Sequence, residues 1–521
     1  MKKTERGQAR SRQFVKSVVL LAGALGILLA ALILAEFRRP LNSDSAWLLY
    51  LARRVLEGDR LYVELVEINP PLVVWLQLPV VFLARWLGVD PTVVFRVAVF
   101  MLIGVCLFLS AQLLRTVTPR TSERRWILLA IVLVLLGWTR AHFGQREHIA
   151  LAAMLPYLLA SAAAAQGHVL GPPLGVTVAA IAAIGFAMKP HFVLVWMAAL
   201  AYVTWRRRDT TWTMGLENRV VLGILSLYAV MVLVAAPEYL NLVGRLASTY
   251  DAFARKSVAT LMLHSVETLC GIGALLAYGL LRACLRSRET GDVFALATGA
   301  FLLVALAQRK GFSNHYYPVS ACTLLLAAVA LGGRDACRAR IAERVGVLML
   351  GVIFLLGAGS GTAWSLVQLW REEPVYQRQQ EMADYIREHA SDGSVLRLSY
   401  EDSFPLIDQA SGRWTMRFPN LWFVQALYAD QLGSKEQIRY RPPSQMTDPE
   451  RWCFEAVIDD FLRERPSLLT VIRPNLPGVT GLPTRLDYLT YFSQDRRFAA
   501  ALEAYEFIGV VAGYSVFQRR L

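Results

Sequence analysis

FRRPLNSDSAWLLYLARRVLEGDRLYVELVEINPPLVVW, residues Phe37 to Trp75, sets acids, an amphipathic helix and a proline pair between two apolar segments. Its helical pattern opens at Asp44 and closes at Gly58. Trp47, Leu48, Leu51 and Val55 form an apolar stripe, while Tyr50, Arg53, Arg54 and Glu57 share the other face, the pattern of a helix lying along a membrane surface. Beyond it come Glu64, Glu67 and Asn69-Pro70-Pro71. Asp is among the best N-cap residues, so Asp44 has a structural reading as the cap of this helix. A cap also fixes its carboxylate where a substrate can meet it, and the two readings are compatible.

Outward from that stretch the chain is too apolar for a soluble enzyme. Of its 521 residues 55% are hydrophobic, and runs such as SVVLLAGALGILLAALILA are long enough to cross a bilayer as helices. A β-barrel would show short alternating segments instead. The net charge of +14 raises the question of nucleic acid, and its distribution answers it. Segments 1–16, 114–125, 206–219, 282–292 and 334–344 hold 21 Lys and Arg against 8 Asp and Glu, which accounts for 13 of the 14 net charges. Basic loops of that kind belong on the cytoplasmic side of a membrane protein, so no nucleic-acid partner is expected. The six cysteines show no CxxC spacing, and neither a disulfide framework nor a thiolate metal site is implied.

Eleven crossings are expected, at about 17–36, 92–113, 126–140, 149–166, 174–188, 190–205, 220–236, 260–282, 293–308, 314–332 and 345–364. The apolar run after Pro71 reads as a short juxtamembrane hairpin, which closes a first outer loop of 37–91. With a basic N-terminus (1–16) inside, this places every basic loop in the cytoplasm. It also divides the chain into a transmembrane domain (17–370) and a C-terminal extracytoplasmic domain (371–521). The latter reads as α/β, with a helix at 375–390 and strands at 395–400, 467–473 and 507–518. It contains no phosphate-binding glycine motif.

Ionisable residues at membrane depth are costly, and those at the ends of spans need a reason. Four groups fall on one side of this topology: Asp44, Glu64 and Glu67; Arg140, His142, Arg146, Glu147 and His148; Lys189 and His191; and Arg309, Lys310, His315 and Tyr316. The bland reading of the cations is that they snorkel to lipid headgroups, and that of His148 and His191 is a structural hydrogen bond. HExxH is absent, which argues against a zinc hydrolase.

An acid just outside a first span, an amphipathic helix and an acidic turn ending in Pro-Pro resemble the first outer loop of the GT-C glycosyltransferases. The nearest likeness is to bacterial relatives of protein O-mannosyltransferases and of lipid A aminoarabinose transferases. GFAMKPHFVLV (185–195) resembles the Gly-to-Lys motif joining two spans in that superfamily, and HYYP (315–318) its His-Tyr-x-x-Pro motif. The resemblance implies a multi-pass enzyme of a bacterial cytoplasmic membrane that moves a sugar from a polyprenyl phosphate to an extracytoplasmic glycan, lipid or protein. Asp44 would be the general base of an inverting displacement, with Glu67 and Glu64 in reserve. Lys189, Arg309, Lys310, Arg140, Arg146, His315 and Tyr316 would hold the donor phosphate. The sequence departs from the family pattern where Ser45 follows Asp44 in place of a second acid, and where GQREH replaces an Arg-x-x-x-x-Asp motif. Both departures weigh against a bound divalent metal, and no cofactor is expected. A lipid-linked sugar transporter and a non-catalytic envelope assembly protein are the rival readings. The charges cluster at one face rather than at mid-membrane, which disfavours transport.

Overall fold

A computed structural model describes residues 23 and 26–520, apart from 334–340, 368–373, 433–437 and 481–483, and apart from the side chains of 140, 342, 365 and 366. The basic N-terminus and residues 17–22, 24 and 25 of the first expected span thus lie outside the described residues, and helix α1 covers 26–38.

Helix α2 (Ser43–Glu57) is followed by two short helices, α3 (Leu72–Trp75) and α4 (Leu78–Leu87), which form the expected hairpin after Pro71. The bundle continues through α5 (Pro91–Val117), α6 (Thr121–Val132), α7 (Arg146–Ala165), α8 (Pro172–Ala187), α9 (Val193–Arg207) and α10 (Leu216–Ala235). Then come α11 (Glu238–Ala252), α12 (Val258–His264), α13 (Val266–Leu281), α14 (Arg288–Gln308), α15 (Ser313–Gly333) and α16 (Ile341–Val367). Local chemistry fixes several starts: the Asp90 side chain accepts from Thr92 N at 2.6 Å with Pro91 in the first helical position, which begins α5.

Among the described residues seven helices are long and apolar enough to cross a membrane, and together with the fold they make this a multi-pass membrane protein. They present exposed Met101 and Phe108 on α5, Leu227 and Val234 on α10, and Leu348 and Leu355 on α16, as lipid-facing surfaces do. Shorter helices occupy the expected spans at 126–140, 174–188 and 190–205. The expected span 260–282 is two helices, because α12 ends at His264 and the Ser265 hydroxyl caps α13 by accepting from Thr268 N at 3.2 Å. At the centre lies α7, buried almost along its length. Its alanines let α5, α8, α9, α14 and α15 approach closely, as small residues do between membrane helices.

After α17 (Pro374–His389), the C-terminal domain is built on strands β1 (Ser394–Leu398), β2 (Arg413–Trp414), β3 (Leu468–Ile472), β4 (Tyr505–Val511) and β5 (Tyr514–Arg519). The order is β2-β1-β3-β5-β4, with β1 parallel to β2 and β3, and β5 antiparallel to both neighbours. Every residue of β1 and β3 is buried, as central strands covered on both faces require. The segment 507–518, expected as one strand, is a hairpin. Ala512 (φ 46°) and Gly513 (φ 81°) make its turn, and a Cβ at Gly513 would collide with Pro477 O.

The same domain corrects the reading of α2 as a helix lying on a membrane surface. All residues from Ser45 to Ala52 are buried. The second face is covered by the C-terminal domain: Phe404 packs 5.3 Å from Trp47 and 4.7 Å from Tyr50, Tyr50 Oη donates to Trp414 O at 3.3 Å, and Arg53 pairs with Asp408 at 3.4 Å.

Candidate active site

A cavity of about 400 Å³ opens between the C-terminal domain and one end of the bundle. Ser43, Asp44 and Trp47 line it from α2, Glu67 and Asn69 from the following loop, and His142, Gln145 and Arg146 from the start of α7. Asn314 and His315 contribute from α15, Tyr250 and Phe253 from the end of α11. Tyr400, Asp402, Phe404, Asn420 and Trp422 come from the C-terminal domain.

Asp44 is not the cap of α2. The cap is Asn42, whose Oδ1 accepts from Ser45 N at 2.9 Å while its Nδ2 donates to Phe143 O at 2.9 Å. Ser45 Oγ donates to Gly144 O at 3.1 Å, so the start of α2 is stitched to the 143–144 loop. Two positions past the cap, the Asp44 carboxylate turns to the cavity and takes a hydrogen bond from Arg146 Nη2 at 2.9 Å, with the side chain 40% exposed. Near the positive end of α2 it also gains from the helix dipole.

Arg146 begins a buried chain of charges. Beside it, Glu147 Oε1 meets Lys189 Nζ at 2.5 Å, Asn314 Nδ2 at 3.3 Å and His315 Nε2 at 3.9 Å. Lys189 therefore serves to neutralise Glu147, and it is absent from the cavity lining. Arg146 Nε and His315 Nδ1 are buried without a protein partner, which leaves two polar groups on cavity-lining residues unspent. Glu67 is held from both sides: Oε2 accepts from Trp47 Nε1 at 2.9 Å, and Oε1 from Asn69 N at 2.8 Å and from the Asn69 side chain.

Asp44, Glu67, Arg146 and His315 thus meet at one cavity, and besides Lys189 four other expected residues, Glu64, Lys310, Arg309 and Tyr316, do not line it. Glu64 is exposed and Oε2 accepts from Arg60 N at 2.7 Å. Lys310 donates to the carbonyls of Tyr250 (2.5 Å), Asp251 (2.9 Å) and Phe253 (2.6 Å), which spends its ammonium on the C-terminal end of α11. Arg309 adopts a left-handed conformation (φ 56°) at the end of α14. Tyr316 lines a neighbouring cavity of about 200 Å³ beside Lys256 and His264. The Arg140 side chain lies outside what is described. His148 is a structural hydrogen bonder, accepting from Gly144 N at 3.1 Å with Nε2 3.0 Å from Leu135 O.

Reasoning from the outer loops missed the wall supplied by the C-terminal domain. Asp402 faces the cavity, taking a hydrogen bond from Asn420 Nδ2 at 2.5 Å and another from the Ser43 side chain. The protein packed around it raises its pKa above the ordinary carboxylate value, and the Asp44 carboxylate adds to the rise, against those two hydrogen bonds and the nearby Arg397 guanidinium. Among the described residues no group of three His, Cys, Asp or Glu side chains is arranged to hold a metal ion.

No protein-family model and no curated protein matches the chain. Solved structures do. The crystal structure of ArnT from Cupriavidus metallidurans bound to undecaprenyl phosphate matches with a TM-score of 0.60 at 14% identity, covering 96% of this chain and 97% of that one. The chain has the fold of ArnT. Apo ArnT from the same organism gives a TM-score of 0.59 over 96% of this chain and 98% of its own. The match to ArnT runs through both the bundle and the C-terminal domain.

Proposed function

We propose that this protein is a membrane glycosyltransferase that moves a sugar from a polyprenyl phosphate to an acceptor on the outer face of a bacterial cytoplasmic membrane. Eleven crossings with the N-terminus inside, and residues 371–521 outside, complete that reading. The observation that carries it is the meeting of Asp44, Arg146 and His315 at one cavity. The ArnT whose fold this chain shares was crystallised with undecaprenyl phosphate, a carrier of this kind.

In this mechanism the acceptor hydroxyl attacks the anomeric carbon from the face opposite the phosphate. Its proton passes to Asp44, the bond from the anomeric carbon to the phosphate oxygen breaks, and the electron pair leaves with the lipid phosphate, inverting the centre. Arg146 contributes the donor Nε, which no protein group uses, and His315 the ring nitrogen Nδ1, which is likewise without a protein partner. Together they stabilise charge on the leaving phosphate. Arg146 also holds Asp44 in place. Lys189 acts at one remove, by keeping Glu147 neutralised behind Arg146. Glu67 orients Trp47 and Asn69 and is the reserve base.

The test is a transfer assay on the full chain in nanodiscs with a panel of radiolabelled polyprenyl-phosphate sugars. Covalent transfer from at least one donor, with release of polyprenyl phosphate, supports the reading. Donor binding with no turnover would leave an assembly protein, and movement of intact donor across the bilayer would leave a transporter.

A further inference from the structure

Resting on the transferase reading, we infer that the C-terminal domain supplies the acceptor subsite, and that the subsite takes a neutral saccharide whose hydroxyl lies between Asp402 and Asp44. The charge of the cavity points there first. Its lining carries three carboxylates, Asp44, Glu67 and Asp402, and a single guanidinium, Arg146. The cations around the lining are committed to the protein: Lys189 to Glu147, Lys310 to the carbonyls of Tyr250, Asp251 and Phe253, and Arg397 Nη1 to the Asp402 carbonyl at 3.1 Å. With the donor phosphate taken by the Arg146 side, an acceptor bearing a phosphate or carboxylate would face uncompensated acids on the other. A neutral hydroxyl meets no such repulsion, and it is the kind of nucleophile that needs a base.

The wall itself has the chemistry of sugar recognition. Asp402 forms no ion pair among the described residues, and its identified partners are the Asn420 amide and the Ser43 side chain. A carboxylate placed in a cleft opposite another acid costs stability, so a binding role accounts for it better than a structural one. Asn420 Oδ1 takes Trp422 N at 3.0 Å, which locks the amide and sets the start of the helix Trp422–Leu427. The Trp422 ring is held edge-on by Tyr250 at 5.6 Å and tilted against Phe253 at 5.6 Å, and it stays partly exposed at the cavity. A carboxylate and an amide for hydroxyls, with an indole for the apolar face of a ring, match a polyhydroxylated ring. Asp402 would act as a positioning residue that aligns the acceptor for Asp44.

The experiment titrates the full chain in nanodiscs with methyl glycosides of glucose, mannose, galactose and arabinose, with the matching sugar phosphates, and with a threonine-containing peptide. Saturation-transfer NMR and tryptophan fluorescence read binding without requiring turnover. The expected result is saturable binding of at least one neutral glycoside, weakened at least tenfold by Asp402→Asn and by Trp422→Ala, with binding of undecaprenyl phosphate unchanged. With an active donor, Asp402→Asn should raise the acceptor KM and leave the donor KM alone. Stronger binding of the sugar phosphates or the peptide, or no saturable glycoside binding, overturns the inference. So does an Asp402→Asn variant that only lowers the thermal midpoint. Should Asp402→Asn fail to fold, Asn420→Ala and Trp422→Ala carry the same expectation. Glycoside binding that obeys the variants while no donor is turned over would sink the transferase reading and leave the subsite standing.

Discussion

Replacing Lys189 separates a phosphate-binding role from the structural one seen here. Glu147 is 1% exposed, and its closest cation is the Lys189 ammonium at 2.5 Å. Lys189→Met keeps the length of the side chain and removes the charge, leaving the carboxylate buried with Asn314 at 3.3 Å and His315 at 3.9 Å. Breaking a buried pair by removing one partner costs about 3–5 kcal/mol, and these remaining neighbours place the loss at the lower end, about 3 kcal/mol. Removing both charges with Lys189→Met and Glu147→Gln abolishes the uncompensated charge and should restore most of the loss. Thermal midpoints of the detergent-solubilised wild type, both single variants and the double variant form the assay. The expected order puts Lys189→Met lowest and the double variant close to wild type. A Lys189→Met variant as stable as wild type, with only donor affinity reduced, would refute this account and return Lys189 to the phosphate. A double variant no better than the single would refute the pairing.

Lys310→Met should lower the thermal midpoint through loss of three charge-assisted bonds to the end of α11, at about 1.5–3 kcal/mol for such a group, with donor KM unchanged. Gly144→Ala should cost about 1–3 kcal/mol, because a Cβ there lies 2.6 Å from the Phe95 ring at a φ of +74°, and should also raise donor KM by shifting the loop that carries Arg146. Burial lifts the Asp408 carboxyl to about 6, against the opposing pull of Arg53. The folded state therefore binds this proton more tightly than the unfolded chain, and the contribution is full below about 4 and lost as pH rises through about 6. The difference in thermal midpoint between wild type and Asp408→Asn, followed from pH 4 to pH 7.5, should move against the wild type as pH rises.

The cost of burying charge made half of the site legible: Asp44, Arg146 and His315 stand at helix ends where only a function or a partner explains them. What such reasoning cannot separate is a cation aimed at a ligand from one aimed at the protein. Lys310 closes the end of α11 and Lys189 neutralises Glu147, and both look alike in sequence to a phosphate ligand. In the run Asn42-Ser43-Asp44-Ser45 all four residues are good caps, so the choice of Asn42 depends on its second bond to Phe143 O, 101 residues away. Amphipathy likewise reports one buried face of α2. The other face is covered by Phe404, Asp408 and Trp414, more than 350 residues later, and Asp402 arrives at the cavity by the same docking.

The central claim is that the Asp44 carboxylate takes the acceptor proton. Asp44→Asn keeps the size of the side chain and leaves the Asn42 cap intact, so folding should be nearly unaffected. Turnover with a matched lipid-linked donor, measured beside the thermal midpoint and donor binding, decides it. The account predicts a loss of about 10²–10⁴-fold in kcat with the midpoint and donor binding preserved. Turnover near the wild-type rate would contradict it and transfer the role of base to Glu67.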